Sequence, residues 1–368
     1  MPQRQDEWCW CNSGLKYEVC RLQHENTPQS DAYGIAKKQR TFFQRKVCSH
    51  PEASAGGCAG PIIQAHTVRR AADLKSVAKK GHVYSFNFWF GDLVRSQGKP
   101  IAKKIGINDA STFTGFCQLH DASTFRPLEA VEYNGSAEQN FLLFYRAWSR
   151  ETYAKHSGSL SIPNLRKLEV GRTASERRSM HGFLDSMELG LELGVRDADF
   201  YKNVLDNELV TKNYLAVESV VIELAGVTEF VAAGCVYPTH DFHGSHLQEL
   251  GTSLLPEPLS ISVLASSSGS FVVLSWLRAH ASAPRQLVDS LLQQPGAIPD
   301  GIVRLIYSSI ENAFAAPDWW EGLSKAASEK IHELVLYGAH PVLPVPDTAL
   351  VADGIAFSGQ TLVSVKFV

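Results

Sequence analysis

Residues 109–125 read DASTFTGFCQLHDASTF, and the Cys-x-x-His pair inside this stretch, Cys117 and His120, decides how the first third of the chain is interpreted. Six of the seven cysteines lie within the first 117 residues. In a reducing compartment, clustered cysteines with nearby histidines indicate zinc ligands rather than disulfides. The sequence therefore predicts zinc-stabilised structure in the N-terminal third.

The first group of candidate ligands is CWCNSGLKYEVCRLQH, residues 9–24. Structural zinc takes four soft or borderline ligands in a tetrahedron. Cys9 and Cys11 are close enough to clasp one ion, and the Asn-Ser-Gly turn after them reverses the chain. The helix that follows can return Cys20, with His24 one turn further on the same face.

This stretch resembles the SEC-C zinc motif, whose pattern is C-x-C-x-S-G-x-K-Y-x-x-C. The matching residues are Cys9, Cys11, Ser13, Gly14, Lys16, Tyr17 and Cys20. The usual motif has a Cys or His directly after the third ligand, where this chain has Arg21, so His24 is the candidate for the fourth ligand. The resemblance implies a zinc-stabilised module, found on many bacterial proteins, that docks to protein or nucleic acid.

The second group lies in two segments, CSHPEASAGGCAGPIIQAHTVRR at residues 48–70 and FCQLHD at residues 116–121. A cysteine pair on a loop, a strand ending in His and a Cys-x-x-His entering a helix together resemble a zinc-supported HNH nuclease. In that family a ββα unit holds the catalytic metal, and a separate zinc often braces the unit. The resemblance implies structural zinc ligands at Cys48, Cys58, Cys117 and His120, with His50 as an alternative to one of the cysteines.

The HNH resemblance also implies roles in phosphodiester hydrolysis. His66 matches the general base that activates water, Asp121 matches the last metal-binding residue, and Asn108 matches the middle asparagine. A divalent ion, Mg²⁺ or Mn²⁺, would offset charge on the leaving group. Arg69 and Arg70 follow His66 closely and are candidates for contacts with nucleic-acid phosphates. The family further suggests a setting in bacterial mobile elements or phage defence.

Charge is distributed unevenly along the chain. Residues 1–130 contain 18 Lys and Arg against 11 Asp and Glu, whereas the remainder contains 17 against 27. The basic excess favours an anionic partner such as nucleic acid for the first part of the chain. A protein partner is the alternative, bound through the N-terminal zinc motif or the C-terminal domain.

The hydropathy pattern bears on location. No apolar run of 18 residues exists, and the N-terminus has no apolar segment of the kind that signal peptides contain. We therefore expect no association with a membrane and a cytoplasmic location.

The predicted fold class is α+β, in three regions. Residues 1–26 form the small SEC-C-like zinc motif, residues 27–130 a ββα or treble-clef-like zinc domain, and residues 131–368 a larger α+β domain of unknown role.

Periodicity and turn signals predict the elements within these regions. Predicted helices cover 28–47, 71–81 (closed by Gly81), the region from Phe141 to Trp148, the stretch after a Thr173–Glu176 capping box, 284–294, 298–314, and 318–337 with Asp318 as its cap. Predicted strands are PIIQAH, HVYSFNFWF, YLAVESVVIEL, EFVAAGCVY, LSISVLA, SFVVLSWL and QTLVSVKFV. The SSSG turn indicates a hairpin between LSISVLA and SFVVLSWL.

Other interpretations stay open at this point. The chain can be a non-catalytic zinc scaffold that binds nucleic acid or protein, because the zinc sites do not require His66 to be a base. The activity can also lie in the C-terminal region, where THDFHGSH offers His240, Asp241, His243 and His246 as metal ligands or as a polar turn. His82 is a further candidate ligand or base. The sequence contains no P-loop, dinucleotide-binding, serine-hydrolase or HExxH motif.

Overall fold

The computed structural model describes residues 6–11, 13–20, 27–339 and 344–368. The described chain combines helices and antiparallel strands, which confirms the predicted α+β class. The strands are β1 (Ile62–His66), β2 (His82–Asn87), β3 (Ile101–Gly106), β4 (Thr112–Cys117), β5 (Val217–Ala225), β6 (Phe230–Val236), β7 (Leu259–Ala265), β8 (Gly269–Leu277), β9 (Ala313–Ala315) and β10 (Thr361–Phe367). The helices are Ala32–Phe42, Lys75–Val77, Phe90–Arg95, Gln118–Thr124, Arg126–Glu129, Ala137–Leu165, Ala174–Thr211, Ser282–Leu292, Ile298–Ser309, Pro317–Gly322 and Lys325–Ala339.

Eight of these strands form one sheet in the order β10-β5-β8-β7-β6-β9-β2-β3. Side chains alternate between the two faces of a strand, so a strand buried on both faces supplies two cores. In β5, Ile222 belongs to a cluster with Ile302 and Ile306, whereas Val221 belongs to a cluster with Trp148. Helices therefore cover both faces of the sheet, and the molecule is built in three layers.

The eight-stranded sheet contains strands from the first third of the sequence and strands from the C-terminal region. The short strand β9 pairs with β6 on one side and contributes a single pair, Ala315 with Tyr84 of β2, on the other. Strands from the basic first third and strands from the C-terminal region therefore share hydrogen bonds in one sheet. The boundary predicted at residue 130 stays a prediction.

Two long helices form the layer that faces the N-terminal region. Ala174–Thr211 begins at the predicted capping box, in which Thr173 and Glu176 bond reciprocally, and it packs against Ala137–Leu165. Trp148 is buried between them and donates its indole N–H to the carbonyl of Ala198 at 3.0 Å. This helical layer provides a fixed surface against which the cysteine-containing segments pack.

Several predicted elements were wrong in extent. The helix predicted at 298–314 ends at Ser309, because Ile310 is extended and leads into β9. The helix predicted at 318–337 is two helices broken at Leu323, and its cap is Ala316 rather than Asp318, which instead pairs with Lys79.

Two further differences lie in the first third. The helix predicted at 71–81 ends at Val77, and Gly81, at φ +74°, lies in the turn that enters β2. The helix predicted at 28–47 is shorter, Ala32–Phe42. Strand β3, IAKKIG, was missed because its lysines lie on an exposed sheet edge, where polar residues are common.

A buried ion pair ties the first third to the central sheet. The guanidinium of Arg69 donates two hydrogen bonds to Asp73, at 2.8 and 2.7 Å, and a third at 3.3 Å to the carbonyl of Leu128. Asp73 is fully buried and also accepts the backbone N–H of Ala265 in β7 at 3.1 Å. Removing one member would leave the other charge buried without its partner, which is strongly unfavourable.

We therefore expect Asp73→Ala to lower the free energy of unfolding by about 3–5 kcal/mol. Urea denaturation of the full chain would measure this loss. Arg70→Ala is the matched control, because the neighbouring guanidinium is exposed, and it should change stability by less than about 0.5 kcal/mol. Equal losses in the two variants would contradict a structural role for the ion pair.

Candidate metal centres

The second cysteine group forms a compact cluster. The ligand atoms of Cys48, Cys58, Cys117 and His120 all lie within 4.8 Å of one another. The Nδ1 atom of His120 is 3.3 Å from the sulfur of Cys48, 3.3 Å from that of Cys117 and 3.9 Å from that of Cys58. Three thiols and one imidazole are a donor set that suits zinc, so these residues can hold a structural metal ion.

Local structure explains how residues so far apart in sequence meet. Cys117 ends β4 and caps the helix Gln118–Thr124, which places His120 in the first turn beside its sulfur. The chain around Cys48 runs along β4, since Val47 and Ser49 donate their backbone N–H groups to carbonyls of that strand. The cluster thus closes one end of a strand pair at the start of a helix.

Strands β1 and β4 pair antiparallel, with Ile62 opposite Cys117 and His66 opposite Thr112. Together with the helix Gln118–Thr124 they form a ββα arrangement. The residues between the two strands leave this unit to form β2 and β3, which join the large sheet. This excursion accounts for the long sequence gap between His66 and Cys117.

Other side chains hold the cluster in place. The Nε2 atom of His120 lies 3.7 Å from a carboxylate oxygen of Glu52, and the ring of His50 stacks on that of His120 at 4.0 Å. At 3.7 Å the carboxylate is too far for a hydrogen bond, but its charge favours an N–H at Nε2 and leaves Nδ1 to face the sulfurs. Lys202 donates to the carbonyl of Ser49 at 2.6 Å, next to Cys48. His50, Glu52 and His120 also form a candidate group of their own.

The first cysteine group also converges. The sulfurs of Cys9, Cys11 and Cys20 lie within 4.8 Å of one another, with Cys11 at 3.1 Å from Cys9 and 3.4 Å from Cys20. A small hairpin aligns them, since the backbone N–H of Cys9 donates to the carbonyl of Leu15. The predicted fourth ligand, His24, lies outside the described residues. This cluster is a second candidate metal centre, compatible with zinc.

The N-terminal cluster packs against the helix Ala174–Thr211. Arg177 is buried and donates to the sulfur of Cys20 at 3.6 Å. The ring of Trp10 meets that of His181 edge-on at 5.2 Å, and the guanidinium of Arg178 lies 5.6 Å from the Trp10 ring centre. A cation beside several thiolates would offset their negative charge, which favours metal binding at this cluster.

The predicted catalytic residues lie around the ββα unit. His66 ends β1, and its Nε2 is buried with no hydrogen-bond partner in the part of the chain that the structure describes. The Oδ1 atom of Asp121 is likewise buried and unpartnered among the described residues. Burial, reinforced by the charge of Arg70, lowers the pKa of His66, whereas burial raises the pKa of Asp121.

His66 and Asp121 share their charged neighbours. Arg146 and Glu129 both influence the pKa of His66 and that of Asp121. Arg146 donates to Glu129 at 2.7 Å, and its Nε is buried without a partner among the described residues. Asn108, in contrast, accepts a hydrogen bond from Arg70 at 3.1 Å.

Sequence reasoning missed Arg146. It lies in the apolar run FLLFYRAW of the helix Ala137–Leu165 and is only 2% exposed. A buried arginine normally needs anionic partners. The sequence signal that could have identified Arg146 is its position as the single charged residue of an apolar helical segment.

The predicted phosphate-binding residues differ from each other. Arg69 is buried and bonded to Asp73, whereas Arg70 is exposed and bonds only Asn108 in the described structure. Three lysines of the same region form ion pairs with acidic side chains. Lys79 pairs with Asp318, Lys103 with Asp92, and Lys104 with Glu321. Arg70 is therefore the better placed of the two arginines for an external phosphate.

Among the described residues the remaining candidate histidines form no group of three metal ligands, although the rings of His240 and His246 lie 5.6 Å apart. His240 contacts Thr239, His243 contacts Gln293 and His246 pairs with Glu249. Asp241 accepts two backbone N–H groups of its own turn. Among the described residues these side chains form no metal-ligating group, and THDFHGSH is a polar turn. His82 is exposed beside the carbonyl of Lys80.

Comparison with known proteins found no family model, no curated protein and no solved structure that matches this chain. The resemblances to SEC-C motifs and HNH nucleases rest on the quoted residues and on the two clusters. Among the described helices, none has both the length and the apolar character needed to cross a membrane.

We expect the purified protein to carry two metal ions per chain, which the thiol-rich donor sets predict to be zinc. Cys117→Ser and Cys20→Ser should each remove about one ion, because each removes one ligand from a different cluster. Elemental analysis by mass spectrometry would measure the content. Cys235→Ser is the control, since Cys235 lies in β6 outside both clusters, and a loss of metal in that variant would contradict the assignment.

Proposed function

We propose that residues 48–130 form the centre of an HNH-like, metal-dependent nuclease that hydrolyses phosphodiester bonds of nucleic acid and is braced by structural zinc. One observation carries the proposal: the buried polar atoms without hydrogen-bond partners include three from the ββα unit and the helix Ala137–Leu165, which contacts β4. They are Nε2 of His66, Oδ1 of Asp121 and Nε of Arg146, judged against the described residues. Buried polar atoms are rarely unpaired, and exceptions concentrate where water, an ion or a substrate completes the set.

In this proposal His66 is the general base. Burial and Arg70 hold its pKa low, so the imidazole is neutral at pH 7 and able to accept a proton. The Nε2 atom has no hydrogen-bond partner among the described residues, so it is the nitrogen that we assign to the attacking water. His66 thus has the protonation state and the free nitrogen that water activation requires.

Asp121 supplies the carboxylate for the catalytic metal. Its unpartnered oxygen is a hard donor of the kind that Mg²⁺ and Mn²⁺ prefer, which is the ground for fitting such an ion here. When bound, the ion would offset negative charge on the phosphate during hydrolysis. His120, the residue before Asp121, belongs to the proposed zinc cluster. The structural metal site would therefore position the Asp121 carboxylate through the helix Gln118–Thr124.

Arg70 is the proposed phosphate contact. Its guanidinium is exposed, and Asn108 holds it through one hydrogen bond. Arginine can donate to a phosphate oxygen while keeping a second bond. The nucleic-acid backbone would therefore pass beside His66 with Arg70 on its outer side.

The second candidate function is a non-catalytic zinc scaffold that binds nucleic acid or a protein partner. It is favoured by the contacts of the two clusters, which brace the long helices without involving His66. It predicts salt-sensitive binding without cleavage in any divalent metal. Cleavage assays with Mg²⁺ and Mn²⁺ on DNA and RNA substrates discriminate between the two functions.

We expect His66→Ala to reduce the cleavage rate by about 100-fold or more, because the general base is lost. His82→Ala is the matched control, since His82 is an exposed histidine at the start of β2, and its replacement should leave the rate unchanged. Both variants should retain the metal content of the parent. Unchanged cleavage by the His66 variant would remove this residue from the mechanism.

The pH profile tests the same assignment. A base must be neutral to act, so activity should be lost as pH falls through the folded pKa of His66, which lies below the value of an ordinary histidine. Arg70→Gln removes a charge that lowers this pKa and should move the acid limb of the profile to higher pH, whatever it does to the maximal rate. An acid limb that stays at the same pH would contradict the role of His66 as base.

A further inference from the structure

A cavity of about 240 Å³ lies in the C-terminal region, far in sequence from the metal centres. Its walls come from the end of the helix Ser282–Leu292, the start of the helix Ile298–Ser309, the loop at 350–356 and Phe242. An engineered apolar cavity of about 150 Å³ holds benzene, so this cavity has room for a molecule somewhat larger than that. It opens to solvent, because Gly296, Ala352 and Ala356 line it and are exposed.

The cavity contains a cation with spare hydrogen-bonding capacity. Arg304 lines it and is only 2% exposed, and its Nη2 is bonded to Asp353. Its Nη1 is buried and has no hydrogen-bond partner in the described part of the chain. Lys330 lies 3.7 Å from the same aspartate and pairs with Glu333 at 3.1 Å, so each of the two cations has an acidic partner. A carboxylate oxygen at Nη1 would complete the hydrogen bonding of the Arg304 guanidinium.

The cavity also contains an acid one helical turn before Arg304. Asp300 lines the wall, and its Oδ1 accepts backbone N–H groups of Phe357 and Ser358 at 2.7 and 2.9 Å. The same carboxylate oxygen, Oδ1, accepts both of these hydrogen bonds. Positions i and i+4 of a helix lie side by side, about 5–6 Å apart at Cβ. A carboxylate and a guanidinium therefore stand next to each other in a wall that is otherwise mostly apolar.

We infer that this cavity binds a small zwitterion with an apolar body, of the class of a free apolar amino acid. The ligand carboxylate would accept from Nη1 of Arg304, and the ligand ammonium would lie at Asp300. The apolar body would contact Phe242, Leu291 and Leu350, which are buried in the wall. Pockets of this kind use a few polar groups to fix orientation and apolar walls for affinity.

The test is thermal unfolding of the full chain with free leucine or phenylalanine, followed by calorimetric titration. At concentrations far above the dissociation constant, either amino acid should raise the unfolding midpoint by several degrees. Two leucine analogues, 4-methylpentanoate without the amino group and 3-methylbutylamine without the carboxylate, should raise it far less.

Variants locate the binding site. Ala356→Trp should abolish the shift by filling the mouth, whereas Ala326→Trp, at an exposed position that does not line the cavity, should preserve it. Arg304→Lys keeps the charge beside Asp353 but loses the second donor, and should weaken binding about tenfold.

The inference is overturned if neither amino acid shifts the midpoint, if the shift survives in Ala356→Trp, or if 4-methylpentanoate binds as well as leucine. The last result would identify a carboxylate site without recognition of an ammonium group. Because the readout is binding rather than cleavage, it stands or falls independently of the nuclease proposal.

Discussion

The convergence of four donor atoms at Cys48, Cys58, Cys117 and His120 is the constraint on which the N-terminal half depends. It joins chain segments separated by about sixty residues, and the entropy of closing such a loop opposes it. That opposition grows slowly, by about 0.6 kcal/mol for each doubling of loop length. Binding of structural zinc in small domains contributes about 10–16 kcal/mol, so one ion can hold together a strand pair whose intervening chain leaves to join another sheet.

The helix Ala137–Leu165 contacts the cysteine-containing segments and links them to the rest of the molecule. Successive residues serve different parts of the molecule: Tyr145 contacts the loop beside Cys48 and donates to Asp206 at 2.8 Å, while Arg146 faces Glu129. Two turns later the hydroxyl of Tyr153 bonds the carbonyl of Arg45 at 3.0 Å. A single helix therefore positions the cysteine loop, the proposed catalytic unit and the segment that precedes both.

Part of the uneven charge distribution along the chain is explained by ion pairs between the first third and the C-terminal region. Lysines of the basic first third pair with acids of the C-terminal region, as Lys79 does with Asp318 and Lys104 with Glu321. Such surface pairs contribute little stability individually, but they align the two parts of the shared sheet. Acidic residues of the same molecule therefore neutralise part of the positive charge that suggests an anionic partner. Arg70, close in sequence to His66, is an exposed cation that does not pair with an acidic residue in the described structure.

The sequence by itself indicated the residues of the second candidate cluster, the three cysteines of the first, the capping box at Thr173 and most strands, because each depends on residue chemistry or on spacing within a few positions. Only the tertiary structure decided that Arg146 is buried with Glu129 as its partner, that Asp73 pairs with Arg69, and that Ala313–Ala315 is a strand linking two sets of strands. These outcomes depend on contacts between residues far apart in the chain. Local periodicity carries no information about which distant surface a side chain will meet, and packing selects that partner when the layers assemble.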